Sequence, residues 1–345
     1  MSKVLVIRIS AIGDVAITIP VVYAVAQDNP RDEFTVLTQT FLKPLFVNLP
    51  ANVHLICIDT KTTEKSFFGF LGYVWRLKRQ RFDIVIDLHH VIRSWVVDFI
   101  FKLSGKRVYL VDKMRSEKKQ ITSRPPKTIH PLRPVTERYA DVFRKAGFSF
   151  DVNFISLFVA QAIDKTFFEA LFGTKKGHWI GIAPFARHPG KIYPPEKMEL
   201  VVKALSEQDN LTVFLLGSPG KEEAILKRWA QTYPQVIDVA GHHLLLDKTL
   251  ALISMFDVLV SMDSANSHFG SLVKTDVISI WGATHPSLGF YGYRQREDLV
   301  IQVDLPCRPC SPYGAKPCYR GDWACMNHIP PEQIIDKINQ YLASE

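Results

Sequence analysis

Short runs of Val, Ile and Leu alternate with longer amphipathic stretches along this chain. In the first half the apolar runs predict strands over residues 4–9, 34–38, 53–58, 84–88 and 107–111. Residues 15–27, 41–48, 67–80, 93–103 and 137–146 carry apolar positions at helical spacing. The strand runs are continuous rather than alternating, which marks strands buried on both faces. Strands alternating with helices imply right-handed crossovers and a parallel sheet. The pattern restarts near residue 178, with strands predicted over 180–184, 212–216, 236–239, 258–261 and 277–281. Helices are predicted over 195–206, 221–232, 248–255 and 267–272, and a closing helix over 330–341 begins at prolines.

Between these two series, residues 114–134 are basic, lack periodicity and contain Pro125, Pro126, Pro131 and Pro134. They read as a long loop, and loops of this length inside a domain are often functional. The expected organisation is an α/β chain of two Rossmann-like domains with parallel sheets facing a central cleft. Residues 1–160 form the first, 161–178 the linker, 179–330 the second and 331–345 a C-terminal helix. The length of 345 residues agrees, since one core rarely exceeds roughly 250–300 residues. An apolar content of 47% with 22% charged residues excludes disorder, collagen-like repeats and coiled coil.

Charge refines the picture. No stretch of 18 residues lacks charge, so no membrane span is expected. The apolar N-terminus is cut by Arg8 and Asp14, so it reads as strand plus loop rather than an export signal, and a cytoplasmic location is expected. The net charge is +8, but residues 1–160 carry a net of +10 and the remainder −2. A basic first half suits an anionic partner: a phosphorylated lipid or glycan, an anionic membrane surface or nucleic acid. It is also what an ordinary solvated basic surface looks like.

Ligands of open parallel sheets bind at the carboxyl ends of strands, which selects four loops. Ser10–Asp14 follows the first strand. Gly13 would permit a tight turn, and Asp14 would stand at a helix N-terminus, where an aspartate is also a plain helix-start residue. One glycine is too few for a dinucleotide fingerprint. Residues 87–94 bring Asp87, His89, His90 and Arg93 to a strand end, a set suited to a polar, partly anionic acceptor. Residues 183–194 carry Arg187, His188 and Lys191, cations that can grip phosphate oxygens. Residues 261–268 are the most specific: Ser264 would cap a helix, leaving the amides of Ala265 and Asn266 free for phosphate. There Asp263 can accept sugar hydroxyls and His268 can donate to a phosphate.

Five cysteines are present: Cys57 alone, and Cys307, Cys310, Cys318 and Cys325 together. In a cytosolic chain such a cluster suggests metal before disulfide, and a Cys-x2-Cys half-site suits structural zinc. The second pair is loosely spaced, so packed free thiols and a disulfide stay open.

The segments IRISAIGDVAITIP, DLHHVIRS, GKIYP, LLGSPGKEE and VSMDSANSHFGS, in this order and spacing, resemble glycosyltransferase family 9, the ADP-heptose:lipopolysaccharide heptosyltransferases. The resemblance covers nearly the whole chain. It implies a GT-B fold with the acceptor on the first domain and the nucleotide-sugar on the second. It also implies inverting transfer of a sugar, typically heptose, from an ADP-sugar to a lipopolysaccharide core or related glycolipid. By position Asp14 becomes the general base and Lys191 the phosphate-binding lysine. Asp263, His268 and the amides of Ser264 and Ala265 fall in the donor motif, and Glu222, or Glu223 by an offset of one, would hold the nucleoside. Gly13, Asp87, His89 and Arg93 fall on the acceptor side. The chain departs from the family pattern at Ala265, often glycine, and at Gly282–Pro286, which reads G-A-T-H-P rather than G-P-T-x-P. No Asp-x-Asp occurs to hold a magnesium diphosphate, so no cofactor is expected for catalysis. Peripheral, salt-sensitive association with the inner face of the cytoplasmic membrane is expected. The alternatives are a GT-B enzyme using another nucleotide-sugar and a basic zinc-ribbon protein that binds nucleic acid. The second is disfavoured because the strongest motifs lie in the acidic half, so no nucleic-acid partner is expected.

Overall fold

The computed structural model describes residues 1–60, 62, 64, 66–159 and 163–344. The chain divides into two units, Met1–Lys113 with Arg133–Leu157, and Met114–Leu132 with Phe158–Glu345.

The first unit runs β1 (Lys3–Ile7), α1 (Ile12–Asp28), β2 (Glu33–Gln39), β3 (Val53–Ile58), α2 (Phe67–Lys78), β4 (Ile84–Asp87), α3 (Ile92–Leu103) and β5 (Arg107–Leu110). After α4 (Arg115–Ile121), which packs with the second unit, α5 (Val135–Lys145) returns to the first. The five strands are parallel in the order β3-β2-β1-β4-β5. The residues Val4 to Ile7 of β1 are fully buried, as a central strand covered on both faces requires. On one face α2 and α3 bury Phe70, Val74, Leu77, Val97 and Phe101 against Leu5, Ile7 and Val85. α1 packs against α5 and is buried from Val15 to Ala26, which explains why it is apolar all round.

After α4 the second unit resumes with α6 (Lys165–Phe172), whose Phe172 ring meets Phe214 edge-on at 5.5 Å. It continues through β6 (His178–Ala183), α7 (Pro195–Ser206), β7 (Leu211–Leu215), α8 (Lys221–Thr232), β8 (Val236–Asp238), α9 (Leu246–Ile253), β9 (Val258–Met262), α10 (Ala265–Val273), β10 (Val277–Trp281) and β11 (Val300–Gln302). α11 (Ala324–Asn327) and α12 (Pro331–Ser344) close it. Its six strands are parallel in the order β11-β10-β9-β6-β7-β8. Its core joins Ile180, Val213, Val260 and Ile280 to Val201, Trp229, Ile334 and Ile338 of the covering helices.

Several expectations need correction. Residues 114–134 are not one irregular loop of the first domain: they contain α4 and, as far as Leu132, pack with the second unit. The Leu132 amide donates to the Ser287 carbonyl at 2.8 Å, and the Lys127 ammonium donates to the carbonyl of Cys307 at 2.9 Å. The Lys127 ammonium also bonds the Pro309 carbonyl. The expected linker over 161–178 holds α6 and the start of β6; of it, residues 161 and 162 lie outside the described residues. The helix expected over 41–48 is a short 3-10 turn, Thr40–Leu45, with Pro44 inside it. No helix among the described residues is long and apolar enough to cross a membrane.

Candidate active site

Each sheet has one place where successive strands begin to be laid down in the opposite direction. In the first it lies between β1 and β4, in the second between β6 and β9. Helices leave such a point to opposite sides and open a crevice at the carboxyl edge.

In the first unit Asp14 stands in the first turn of α1, whose N-cap, Ala11, supplies no side-chain bond. The Asp14 carboxylate forms an ion pair with Arg8 at 2.5 Å, and the Arg8 guanidinium also donates to the Leu88 carbonyl after β4. Arg8 is 6% exposed and lies 5.7 Å from the centre of the Tyr139 ring. A buried, multiply bonded arginine fixes the orientation of its carboxylate partner, whereas 27% of the Asp14 side chain remains open to solvent. Gly13 lies inside α1 without a positive φ, so it makes no tight turn.

Across the same switch point, the fully buried Asp87 accepts the amides of His89 and His90 at 2.7 and 2.8 Å. That turn presents His89, whose Nε2 lies 3.4 Å from the Ser10 hydroxyl. Burial, reinforced by Arg8, lowers the His89 pKa to about 4, so the ring is neutral at physiological pH. Arg93 is exposed in the first turn of α3. Further along α3, Asp98 is held well above the ordinary carboxylate range by burial and by the neighbouring negative charge of Asp87.

In the second unit the loop after β6 tightens into a 3-10 turn, Pro189–Lys191. The Lys191 ammonium meets the Asp263 carboxylate at 2.7 Å, and the Thr284 hydroxyl donates to the same Oδ2 at 2.7 Å. Three adjacent strands, β6, β9 and β10, thus place one residue each in a single cluster. Asp263 is 4% exposed, so its carboxylate orients Lys191; the expectation that it accepts sugar hydroxyls gives way to this pairing. Ser264 caps α10, its hydroxyl accepting the Asn266 amide at 3.4 Å, and His268 is buried one turn on. The His188 pKa is lowered by burial and by Arg187 and Lys191, a sign of concentrated positive charge. Beyond β7, Glu222 accepts the Ser218 amide at 2.8 Å and Glu223 the Gly220 amide at 3.2 Å, both at the start of α8.

The cysteine-rich segment supports Lys191 from behind. Gly190 donates to the Gly314 carbonyl at 3.1 Å and accepts the Ala283 amide at 2.8 Å. A Cβ on Gly190 would stand 2.8 Å from both the Ala283 Cβ and the Gly314 oxygen, so glycine is required by close approach. Arg308, 2% exposed, donates to the carbonyls of Gly282, Val303, Trp281 and Thr284 and to Gln302, tying this segment to the end of β10.

The zinc expectation is not supported. Cys307, Cys310, Cys318 and Cys325 are free thiols, and among the described residues no group of three or more His, Cys, Asp or Glu is placed to hold a metal ion. Cys310 faces the Ala283 carbonyl and Cys318 faces Asp322, while Cys325 is part of the hydrophobic core. Burial raises the Cys325 pKa to about 11, which keeps it a thiol.

Sequence reasoning missed Arg8 and Thr284 as partners of Asp14 and Asp263. Arg8 showed only as a charge within the IRISAIGD segment, and Thr284 only as the threonine of the G-A-T-H-P segment.

Two parallel sheets of this connectivity, each with polar side chains at its switch point, define a GT-B architecture. A sequence profile of glycosyltransferase family 9 (heptosyltransferase) matches residues 73–317, and the chain belongs to that family. It is therefore a glycosyltransferase. It is 24% identical over 280 residues to lipopolysaccharide heptosyltransferase 3 of Escherichia coli K12, covering 79% of this chain and 80% of that protein. The fold superimposes on a family 9 glycosyl transferase of Veillonella parvula with a TM-score of 0.75 at 16% identity, covering 100% of this chain and 98% of that one. The E. coli heptosyltransferase WaaC, solved with ADP, gives a TM-score of 0.69 at 18% identity, covering 98% and 99%.

Proposed function

We propose that the protein moves a heptose, with inversion and without a metal ion, from an ADP-sugar to a lipopolysaccharide core or related glycolipid acceptor. The Lys191–Asp263–Thr284 cluster at the β6/β9 switch point carries the reading. It holds an ammonium rigidly beside the N-terminus of α10, where a diphosphate is favoured by the helix dipole and the amides of Ser264 and Ala265. Lys191 keeps two donor hydrogens besides the one given to Asp263. The likeness to proteins named for heptose transfer, one of them solved with ADP, supports the donor.

In the proposed reaction the acceptor oxygen attacks the anomeric carbon as its bond to the phosphate oxygen breaks. The hydroxyl proton passes to Asp14, held in register by Arg8. The negative charge gathers on the departing ADP, where Lys191, Arg187 and the α10 amides receive it, and these cations do the work a metal does elsewhere. Glu222 holds the nucleoside, and His268 lies beside the phosphates. Gly13, His89 and Arg93 form the acceptor side; Asp87, expected there from the sequence, is fully buried and instead holds the His89–His90 turn through their amides. The basic surface of residues 1–160 draws the protein to an anionic membrane face in the cytoplasm, where such an acceptor is presented.

Thermal shift against ADP, UDP and GDP tests the donor class, since a ligand raises the melting temperature with occupancy. ADP is expected to give the largest shift; a larger shift with UDP or GDP contradicts the donor. Proton NMR of the transfer product from ADP-heptose and a truncated core acceptor is expected to show the inverted anomer, and a retained anomer contradicts the displacement.

A further inference from the structure

Among the described residues of the first unit, most of the exposed large apolar side chains lie on α2 and α3; Met1, Phe41 and Ile155 are the others. On α3, Ile92, Trp95, Phe99 and Leu103 recur at intervals of three and four and share one face. They are 74, 46, 62 and 73% exposed. On α2, Phe68 and Trp75 lie seven residues apart and are 82 and 53% exposed. Both helices turn their inner faces to the same side of the sheet, so these outer faces point the same way. An apolar surface of this extent marks an interaction site.

The surrounding charges decide the partner. α2 contains no carboxylate, and the only one on α3, Asp98, is buried. Lys78, Arg93 and Lys102 lie on the two helices with Arg76, which pairs with Glu64 at 3.3 Å, and the Lys78 ammonium sits 4.8 Å from the centre of the Trp75 ring. A second copy of the chain would set these cations against their own kind. Anionic headgroups above an acyl interior complement both the charge and the apolar stripe, the pattern of helices that lie in a membrane interface. The surface also starts at the loop assigned to the acceptor, with the Trp95 ring 5.8 Å from that of His90.

We propose that the outer faces of α2 and α3 insert into the headgroup–acyl boundary of an anionic bilayer, Trp95 and Phe99 leading. This rests on the membrane association proposed above and deepens it, because insertion differs from charge attraction alone. An amphiphilic acceptor then reaches the His89–His90 loop with its lipid still in the bilayer.

The test uses the full-length protein and vesicles of equal parts phosphatidylcholine and phosphatidylglycerol, with and without brominated acyl chains. Wild-type protein is expected to sediment with the vesicles, to keep part of its binding at high salt, and to lose tryptophan fluorescence to the bromines. Phe99→Glu and Trp95→Glu are expected to weaken partitioning by about tenfold or more each, with thermal unfolding unchanged because both sites are exposed. Leu200→Glu and Leu245→Glu, at exposed positions of the second unit, are expected to leave it unchanged. Trp75→Phe combined with Trp95→Phe is expected to abolish quenching. Wild-type binding at low salt that survives Phe99→Glu, or quenching that survives the double tryptophan change, overturns the insertion surface and leaves charge-driven association standing. A wild-type protein that binds no vesicles at low salt overturns both. A wild-type dimer that Phe99→Glu converts to monomer, without quenching, assigns the face to a second copy and overturns the proposal.

Discussion

Replacing Asp263 by alanine separates the contribution of the Lys191 pair from that of the fold around it. The carboxylate is 4% exposed and receives both the Lys191 ammonium and the Thr284 hydroxyl on one oxygen, at 2.7 Å each. Removing one partner of a buried pair costs about 3–5 kcal/mol, because the remaining charge is left without compensation. The Lys191 side chain is 16% exposed and regains some hydration, which sets the expectation near the lower limit, about 3 kcal/mol. For a unit of this size roughly 2–4 °C is lost per kcal/mol, so the melting temperature is expected to fall by about 6–12 °C. Calorimetry of ligand-free protein reads this directly. Combining Asp263→Leu with Lys191→Met removes both charges and is expected to recover more than half of the loss. Saturating ADP is expected to narrow the deficit of Asp263→Ala, since phosphate supplies the missing anion. An Asp263→Ala protein that melts within about 1 °C of wild type refutes the buried-pair reasoning, and a deficit that ADP leaves untouched separates the pair from donor binding.

Three further outcomes follow from the same geometry. Lys191→Ala is expected to weaken ADP binding in titration calorimetry and to slow turnover, and unchanged kinetics would remove Lys191 from the site. Gly190→Ala places a methyl 2.8 Å from both the Ala283 Cβ and the Gly314 oxygen and is expected to cost about 1–3 kcal/mol in urea unfolding; a neutral effect would show that the turn can shift. His285 accepts the Ser287 amide on Nδ1, and burial together with Arg308 lowers its pKa to about 4 from 6.5. Because the unfolded chain binds the proton first, this group contributes stability fully above about pH 6.5 and loses it as the pH falls to about 4. His285→Gln is expected to flatten the melting temperature across that window, and an unaltered slope would assign the acid sensitivity to other groups.

The strands were the most legible part of the sequence. Val53–Ile58 and Val277–Trp281 end where the apolar runs predict; the second is buried throughout, as a continuous apolar run requires, whereas the first is an edge strand with His54 exposed. Ends without polar caps were harder: α1 begins at Ile12 under an alanine cap, three residues before the predicted start. β11, three residues long, gives too little periodicity to read. Which unit residues 114–132 pack against is decided by bonds from Lys127 and Leu132 to residues more than 150 positions away, and no local pattern carries that. The same limit applies at the site. Its loops could be chosen from strand ends alone, and Asp14, Lys191 and Asp263 were among the candidates. That Asp263 is spent on Lys191, and that Arg8 holds Asp14, depends on pairings between neighbouring strands.

The central claim is that Asp14 takes the acceptor proton while the diphosphate is held elsewhere, and Asp14→Asn tests it most directly, with turnover and ADP affinity measured on the same preparation. The amide keeps the shape and can still accept from Arg8, but it cannot take a proton at neutral pH. Turnover is expected to fall by roughly 10²–10⁴-fold, the span of general-base catalysis, with ADP affinity within about twofold of wild type. Full turnover by Asp14→Asn contradicts the claim.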